Sequence, residues 1–150
     1  MLKKTVVLVG MMGSGKSAVG KALAAHLGVA FLDSDSEIEK AADRTIKEIF
    51  ERDGETFFRQ AEARVIERLL SDTPMILATG GGAFMSADVR HCVGKKGHSL
   101  FLDANLATLW DRVKHSKTRP LLRTSNPKAT LESLLTERRP TYLTANTVVT

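Results

Sequence analysis

The chain has 150 residues, 43% of them apolar, which is enough for one buried core and too few for two independent ones. Its 22 basic and 17 acidic residues give a net charge of +5 with no run of five like charges, which excludes a basic nucleic-acid-binding tail. The single cysteine excludes an intramolecular disulfide and a multi-cysteine zinc site. We therefore expect one domain over residues 1–150, in a reducing, cytosolic setting and without a membrane span.

Short apolar runs alternate with helical periodicity along the chain. The runs predict strands over residues 6–9, 29–32, 75–78 and 99–102, and the start of a last strand over 147–149. The segments between them repeat apolar residues at helical spacing, with Gly28 ending the first helix and Gly54 separating two later ones. This alternation predicts an α/β fold, a parallel sheet with helices on both faces. Residues 116–130 are basic, contain two prolines and lack periodicity, so we expect a mobile loop there.

The first strand and first helix are joined by residues 10–17, GMMGSGKS, which fit the P-loop pattern G-x-x-x-x-G-K-[ST]. The glycines let backbone N–H groups turn towards a phosphate, and the helix that follows adds the positive end of its dipole. Lys16 is expected to reach the β- and γ-phosphates and Ser17 to place its hydroxyl on Mg²⁺. The alternative is a plain glycine-rich turn with a solvated lysine. A P-loop by itself indicates a nucleoside triphosphate and not the acceptor.

Two carboxylates, Asp33 and Asp35, end the second predicted strand. Ligands of open α/β sheets bind outside the carboxyl ends of the strands, so we expect both side chains beside the P-loop. One would serve the metal and the other would orient a substrate hydroxyl and accept its proton. The alternative is that one of these residues only caps the following helix.

The third predicted strand ends in Thr79 and three glycines, Gly80, Gly81 and Gly82. Consecutive glycines raise the conformational entropy that is lost on folding, so their presence needs a reason. A close approach of the backbone to a ligand would supply one. The alternative is a simple flexible turn.

Three arginines are candidates for binding anions. Arg59 precedes Glu62 by one helical turn and could clamp a carboxylate, although a surface ion pair is the alternative. Arg119 lies in the predicted mobile loop, where an arginine can neutralise transferring phosphate oxygens, and Arg138 follows it. Each of these arginines could instead be a solvated charge.

Taken together, these stretches resemble shikimate kinases. Over residues 5–142 the chain contains, in the family's order, the P-loop, DSD, FR followed by Glu62, TGGG, RPLL and R-x-P-x-Y. The resemblance implies transfer of the γ-phosphate of ATP to the 3-hydroxyl of shikimate, on the route to chorismate and aromatic amino acids. It also implies a P-loop kinase fold with strand order 2-3-1-4-5, a substrate-binding helical region over about 34–62, a lid over about 114–130, and a monomer that binds neither nucleic acid nor membrane.

The resemblance also assigns roles to individual residues of this chain. Asp35 would be the base, with Lys16 and Arg119 as the other catalytic residues, and Asp33 would join Ser17 at Mg²⁺ through water. ATP would be bound by Gly13, Ser14, Gly15, Lys16, Ser17, Ala18, Arg112 and Arg119. Shikimate would be bound by Asp35, Arg59, Gly80, Gly81, Gly82 and Arg138, with Phe50 and Phe58 as walls.

The chain departs from the family pattern in two places. It stops at Thr150 as the last strand begins, whereas family members continue, so we expect a truncated C-terminal end. Polar residues before the lid arginine also make the assignment of Arg112 weaker than that of Arg119. The alternatives are another small P-loop kinase, acting on gluconate or a nucleotide, and a nucleotide-binding regulatory module without activity.

Overall fold

The computed structural model describes residues 2–115 and 124–150 of the chain. The strands within these ranges are β1 (Thr5–Val9), β2 (Phe31–Asp33), β3 (Ile76–Ala78), β4 (Gly97–Leu102) and β5 (Thr147–Val149). The α-helices are α1 (Lys16–Leu27), α2 (Ser34–Ala42), α3 (Ile46–Leu70), α4 (Ala87–Lys96), α5 (Leu106–Val113) and α6 (Pro127–Tyr142). A 3₁₀ turn at Ala83–Met85 follows the three glycines.

The five strands form one parallel sheet in the order β2-β3-β1-β4-β5, which confirms the predicted fold class. β1 is central, with Val7 opposite Leu77 of β3 and Ser99 of β4. β5 pairs with β4, so the last predicted strand does form, at the edge of the sheet. This order places the carboxyl ends of β2, β3 and β1 side by side, where the candidate site residues follow them.

The second strand begins two residues later than predicted, at Phe31. Gly28 adopts a left-handed conformation (φ 68°) at the end of α1, and the N–H of Val29 donates to the carbonyl oxygen of Ala24 at 3.0 Å. Val29 is thus held in the turn that closes the helix, because the helix leaves backbone carbonyls that must be satisfied there.

Apolar side chains are buried on both faces of the sheet. Along β1, Val7 and Val9 belong to one apolar cluster and Leu8 to another, because successive side chains of a strand point to opposite faces. The first cluster includes residues from α2 to α6, and the second includes Ala24 of α1. Helices therefore cover both faces, as the alternation of elements predicted.

Two helices differ from the expectations. The helix α4 was not predicted, and its interior holds only two fully buried apolar side chains, Val89 and Val93. The helix α6 begins at Pro127, with Asn126 as its N-cap, so the predicted loop over 116–130 is too long at its C-terminal end. Residues 116–123, which include Arg119, lie outside the described residues.

The long helix α3 is interrupted where the sequence predicted a separation. Gly54 has φ 84° and ψ 173°, which are not helical angles, so the two halves of α3 meet at a kink. The second half carries Phe58, Arg59 and Glu62. Within the described ranges, neither this helix nor any other is long and apolar enough to cross a lipid bilayer.

Candidate active site

The loop between β1 and α1 has the conformation of a phosphate cradle. Gly10, Gly13 and Gly15 have positive φ angles of 147°, 81° and 98°, a region that side-chain-bearing residues rarely adopt. Lys16 begins α1, and its Nζ donates to the carbonyl oxygens of Gly10 (2.7 Å) and Met11 (2.9 Å). The lysine side chain is therefore folded back over the loop, with the N-terminus of α1 behind it.

The helix α5 packs directly against this loop. Arg112 Nη1 donates to the carbonyl oxygen of Gly13 at 2.8 Å, and a Cβ atom on Gly13 would lie 2.8 Å from Cγ1 of Val113. Gly13 is therefore required for close packing as well as for its φ angle. Arg112 thus lies beside the P-loop, as predicted for a residue on the nucleotide side, while its contact with adenine stays a prediction.

Asp33 and Asp35 have different environments although they are two residues apart. Asp33 Oδ1 accepts hydrogen bonds from the backbone N–H groups of Asp35 (2.8 Å) and Ser36 (3.2 Å), so Asp33 is the N-cap of α2. Asp33 therefore does cap the helix, as the alternative interpretation stated. Capping uses only one of the two carboxylate oxygens of Asp33. Asp35 follows in the first turn and does not cap the helix.

Asp35 is partly buried, and its Oδ1 is a buried atom with no hydrogen-bond partner among residues 2–115 and 124–150. Burial raises the pKa of this carboxyl above its usual value, and the neighbouring charge of Asp33 raises it further, whereas the charge of Lys16 opposes both. A buried carboxylate with a free oxygen and an elevated pKa is suited to accept a hydrogen bond and then a proton.

Each of the three consecutive glycines faces a charged side chain. A Cβ atom on Gly80 would lie 2.8 Å from Asp35 Oδ1, one on Gly81 would lie 3.2 Å from Arg138 Nη1, and one on Gly82 would lie 2.9 Å from Arg59 Cζ. Side chains at these positions would displace the carboxylate and both guanidinium groups. The close approach of these side chains gives a reason for the glycines other than a simple flexible turn, while the predicted approach of a ligand to this backbone stays a prediction.

The turn that carries the glycines is tied to both neighbouring strands. Thr79 Oγ1 donates to the carbonyl oxygen of Leu8 in β1 at 2.8 Å, and the N–H of Gly80 donates to Ser34 Oγ at 3.3 Å. These two bonds connect the end of β3 to the end of β1 and to the start of α2. The glycines therefore lie between the P-loop and the DSD segment.

Arg59 forms an ion pair with Glu62 that is not a surface pair. Arg59 Nη1 lies 2.9 Å from Glu62 Oε1, and the Glu62 side chain is only 1% exposed. Glu62 Oε2 is buried and unpartnered in the described part of the chain. Burial raises the pKa of the Glu62 carboxyl, which the charge of Arg59 opposes. Glu62 therefore holds Nη1 of the guanidinium, Nε lies 3.8 Å from Glu55 Oε1, and Nη2 faces Gly82.

Aromatic rings flank this arginine on α3. The rings of Phe50 and Phe58 have centroids 4.8 Å apart, and the Arg59 guanidinium lies over the Phe58 ring at 5.2 Å. Phe58 is buried, whereas Phe50 is 38% exposed. The two rings form an apolar border next to the charged groups, while their role as walls of an acceptor site stays a prediction.

The helix α6 supplies a second arginine and a tyrosine to the same place. Arg138 is 9% exposed, and its Nη1 is buried without a partner in the described ranges. Tyr142, one turn later, donates its hydroxyl hydrogen bond to the carbonyl oxygen of Gly81. The adjacent Arg139 points elsewhere and forms two hydrogen bonds with Asp103, at 3.1 and 2.9 Å.

Most of the predicted site residues are therefore neighbours in space. Asp35, Arg59 and Arg138 surround the glycine turn, with the P-loop beside them. Ser17 and Ala18 lie exposed in the first turn of α1, at the opening of the cradle. Sequence reasoning gave no role to Tyr142, although its spacing of four residues from Arg138 on one helix was a usable signal.

Comparison with known proteins agrees with this geometry. The family model described as shikimate kinase matches residues 12–150. This chain belongs to the shikimate kinase family. Among curated relatives, the shikimate kinase of Cereibacter sphaeroides is 59% identical over 148 residues, 99% of this chain and 74% of the relative. The shikimate kinase of Ruegeria pomeroyi is 58% identical over 148 residues, 99% of this chain and 76% of the relative.

The family assignment extends to the fold. The structure of a shikimate kinase from Acinetobacter baumannii in complex with shikimate superposes with a TM-score of 0.93 at 40% identity, over 98% of this chain and 83% of that one. The five-stranded order observed here is thus the P-loop kinase fold of this family. Membership of a kinase family supports ATP as the phosphoryl donor.

Proposed function

We propose that this chain transfers the γ-phosphoryl group of ATP to the 3-hydroxyl of shikimate, giving shikimate 3-phosphate and ADP. The observation that carries the proposal is the cluster of Asp35, Arg59 and Arg138 around three glycines beside the P-loop. Two cations and one carboxylate suit a small molecule that has one carboxylate and several hydroxyl groups. The relative from Acinetobacter baumannii, solved in complex with shikimate, supports the same acceptor.

The two arginines would bind the carboxylate of the acceptor. Arg138 Nη1 is buried and unpartnered in the described chain, and a buried donor in that state is stabilised by a ligand that accepts from it. Arg59 has one nitrogen fixed by Glu62, so its fork is oriented before the ligand arrives. The backbone of Gly80, Gly81 and Gly82 would complete this half of the site, with Phe50 and Phe58 as its border.

Asp35 would act as the general base towards the acceptor hydroxyl. Its Oδ1 is buried and unpartnered, and no described residue donates to the carboxylate, so a substrate hydroxyl that binds it would not have to replace a protein donor. As the hydroxyl oxygen attacks the γ-phosphorus, its proton moves to the Asp35 carboxylate, and the elevated pKa of this group makes it a stronger base than an ordinary aspartate.

Lys16 and the P-loop backbone would hold the donor. Gly13, Ser14 and Gly15 of the loop and Ser17 and Ala18 of the first turn of α1 would surround the phosphates, where the helix dipole favours negative charge. The Lys16 ammonium would exchange its carbonyl partners for the β- and γ-phosphates. Arg112, already bound to Gly13, would border the nucleotide, and Arg119 would neutralise charge on the transferring phosphoryl group from the predicted lid before α6.

The donor set of the site fits Mg²⁺. Within residues 2–115 and 124–150 there is no group of three His, Cys, Asp or Glu side chains that could hold a metal, so a protein-only cage is absent there. Mg²⁺ retains waters and is bound by one or two protein groups plus phosphates. Ser17 Oγ would bind the metal directly, and the Asp33 carboxylate oxygen that is not used for capping would bind it through water. When bound, the metal supplies charge neutralisation at the β- and γ-phosphates.

We further propose that residues 1–150 act as one kinase domain, with its substrate-binding helical region over about 34–62, and that it works as a cytosolic monomer. The continuous sheet and its two apolar clusters support the single domain.

A direct assay of acceptor use tests the proposal. Purified protein receives Mg-ATP with shikimate, gluconate or a nucleoside monophosphate, and ADP release is followed by a coupled assay while the phosphorylated product is identified by mass spectrometry. We expect ADP release that depends on shikimate, with equimolar shikimate 3-phosphate. Release that is independent of shikimate, or faster with another acceptor, would contradict the proposal.

A further inference from the structure

The turn at Gly80, Gly81 and Gly82 presents a physical problem for a binding element. Glycine has the largest backbone freedom of any residue, so three in succession do not keep a fixed orientation by themselves. The start of the turn is held by the bonds of Thr79 to Leu8 and of Gly80 to Ser34, and the turn is closed by a hydrogen bond from the N–H of Ala83 to the carbonyl oxygen of Gly80 at 3.1 Å. These bonds do not hold the central peptide between Gly81 and Gly82, which can rotate without breaking them.

Tyr142 supplies a contact at that point. Its hydroxyl donates to the carbonyl oxygen of Gly81, and its side chain is fully buried. The ring stacks on Phe101 of β4, with centroids 5.0 Å apart and planes inclined by 27°. Burial also raises the pKa of the Tyr142 hydroxyl, so the group stays a neutral donor near neutral pH. A rigid ring therefore holds this hydroxyl against the glycine turn.

The hydrogen bond fixes a whole peptide unit. All described peptide bonds are trans, and in a planar trans peptide the C=O and N–H point in opposite directions. With the Gly81 oxygen turned towards the Tyr142 hydroxyl, the N–H of Gly82 points away from that hydroxyl. This N–H donates to no other residue in the described chain, while Gly82 itself lies beside the Arg59 guanidinium.

Tyr142 and Arg138 act on the same glycine from one face of α6. They are four residues apart, which places them one above the other on a helix. The Arg138 Nη1 lies 3.2 Å from where a Cβ on Gly81 would be, and Tyr142 holds the oxygen of that same residue. The direction of the Gly82 N–H relative to the Arg138 guanidinium therefore depends on the tyrosine bond.

We propose that Tyr142 is a positioning residue for the acceptor: its hydroxyl locks the peptide joining Gly81 and Gly82 so that the Gly82 N–H and Arg138 bind one carboxylate together. The inference rests on the proposed function, because the carboxylate is that of the acceptor. Tyr142 itself does not contact the acceptor.

The test compares Tyr142→Phe with Thr5→Val. The first change keeps the ring and removes one hydroxyl; the second removes a buried hydroxyl, which accepts from the N–H of Met75 at 3.2 Å, at the opposite end of β1. We expect Tyr142→Phe to raise the KM for shikimate about 3- to 10-fold, since one hydrogen bond is lost, with kcat and the KM for ATP little changed. Thr5→Val should lower Tm and leave both KM values unchanged.

A second measurement is independent of turnover. In protein labelled with ¹⁵N-glycine, the amide resonance of Gly82 should be sharp in the unmodified chain and broadened or doubled in Tyr142→Phe, because the peptide is free to rotate. An unchanged KM for shikimate in Tyr142→Phe, or equal rises in both KM values, would overturn the proposal. If the unmodified chain fails to phosphorylate shikimate, the proposed function is wrong. An unchanged Gly82 resonance in Tyr142→Phe would separately show that the tyrosine does not fix the peptide between Gly81 and Gly82.

Discussion

Arg59 and Glu62 form an ion pair with one partner in the protein interior: Glu62 Oε1 lies 2.9 Å from Arg59 Nη1, and the glutamate is 1% exposed. Removal of the arginine would leave a buried carboxylate without its counter-charge, which costs about 3–5 kcal/mol in typical buried pairs. Under the proposed function, the pair therefore links acceptor binding to stability.

Arg59→Ala should consequently have two effects. The KM for shikimate should rise about 10- to 100-fold, since a charge-assisted hydrogen bond is lost, and the free energy of unfolding should fall. The double variant Arg59→Ala/Glu62→Gln separates the two: it should regain stability in denaturant titrations while the KM remains high. Recovery of KM together with stability would show that Arg59 has only a structural role.

Asp35→Asn should reduce kcat by about 10²- to 10⁴-fold, the usual contribution of a general base. Asparagine keeps the size of the side chain and cannot take the proton from the hydroxyl. The affinity for ATP, measured by calorimetry without acceptor, should change little. Normal turnover of this variant with shikimate would exclude Asp35 as the base.

The same substitution should stabilise the fold at neutral pH. Burial raises the folded-state pKa of Asp35, so the carboxyl favours the folded state when protonated, and this contribution is lost as the pH rises through that pKa. Asparagine carries no charge to desolvate. The Tm of Asp35→Asn should exceed that of the unmodified chain at pH 7, and the difference should shrink as the pH approaches 4. A lower Tm for the variant at pH 7 would contradict this reasoning.

Gly80→Ala tests the close approach of the turn to the carboxylate. The new methyl group would lie 2.8 and 3.1 Å from the two oxygens of Asp35, so the carboxylate must shift. We expect kcat/KM for shikimate to fall by up to roughly 100-fold, as displaced catalytic groups do. Gly94→Ala in α4 is the matched control: its methyl meets nothing within 4 Å, and it should raise stability by about 0.5–1 kcal/mol without affecting kinetics.

Much of this site could be predicted from short stretches of the sequence. The P-loop, the carboxylates after β2 and the glycines after β3 are contiguous patterns, and the rule that ligands bind outside the carboxyl ends of parallel strands brings them together. The helix α4 was missed because its apolar periodicity is weak. Ser86 was the signal that could have found it, since its Oγ caps the helix by accepting from the N–H of Val89 at 3.4 Å.

The sequence by itself determined the family, the parallel α/β architecture and the donor loop, because these depend on short patterns of neighbouring residues. The tertiary structure decided which charges lie in the interior. Glu62 became a buried partner, Asp35 acquired a raised pKa and Tyr142 reached Gly81 across 61 positions of the chain. Burial and hydrogen bonding between distant segments depend on how the helices pack on the sheet, and the spacing of residues along the chain does not encode that packing directly.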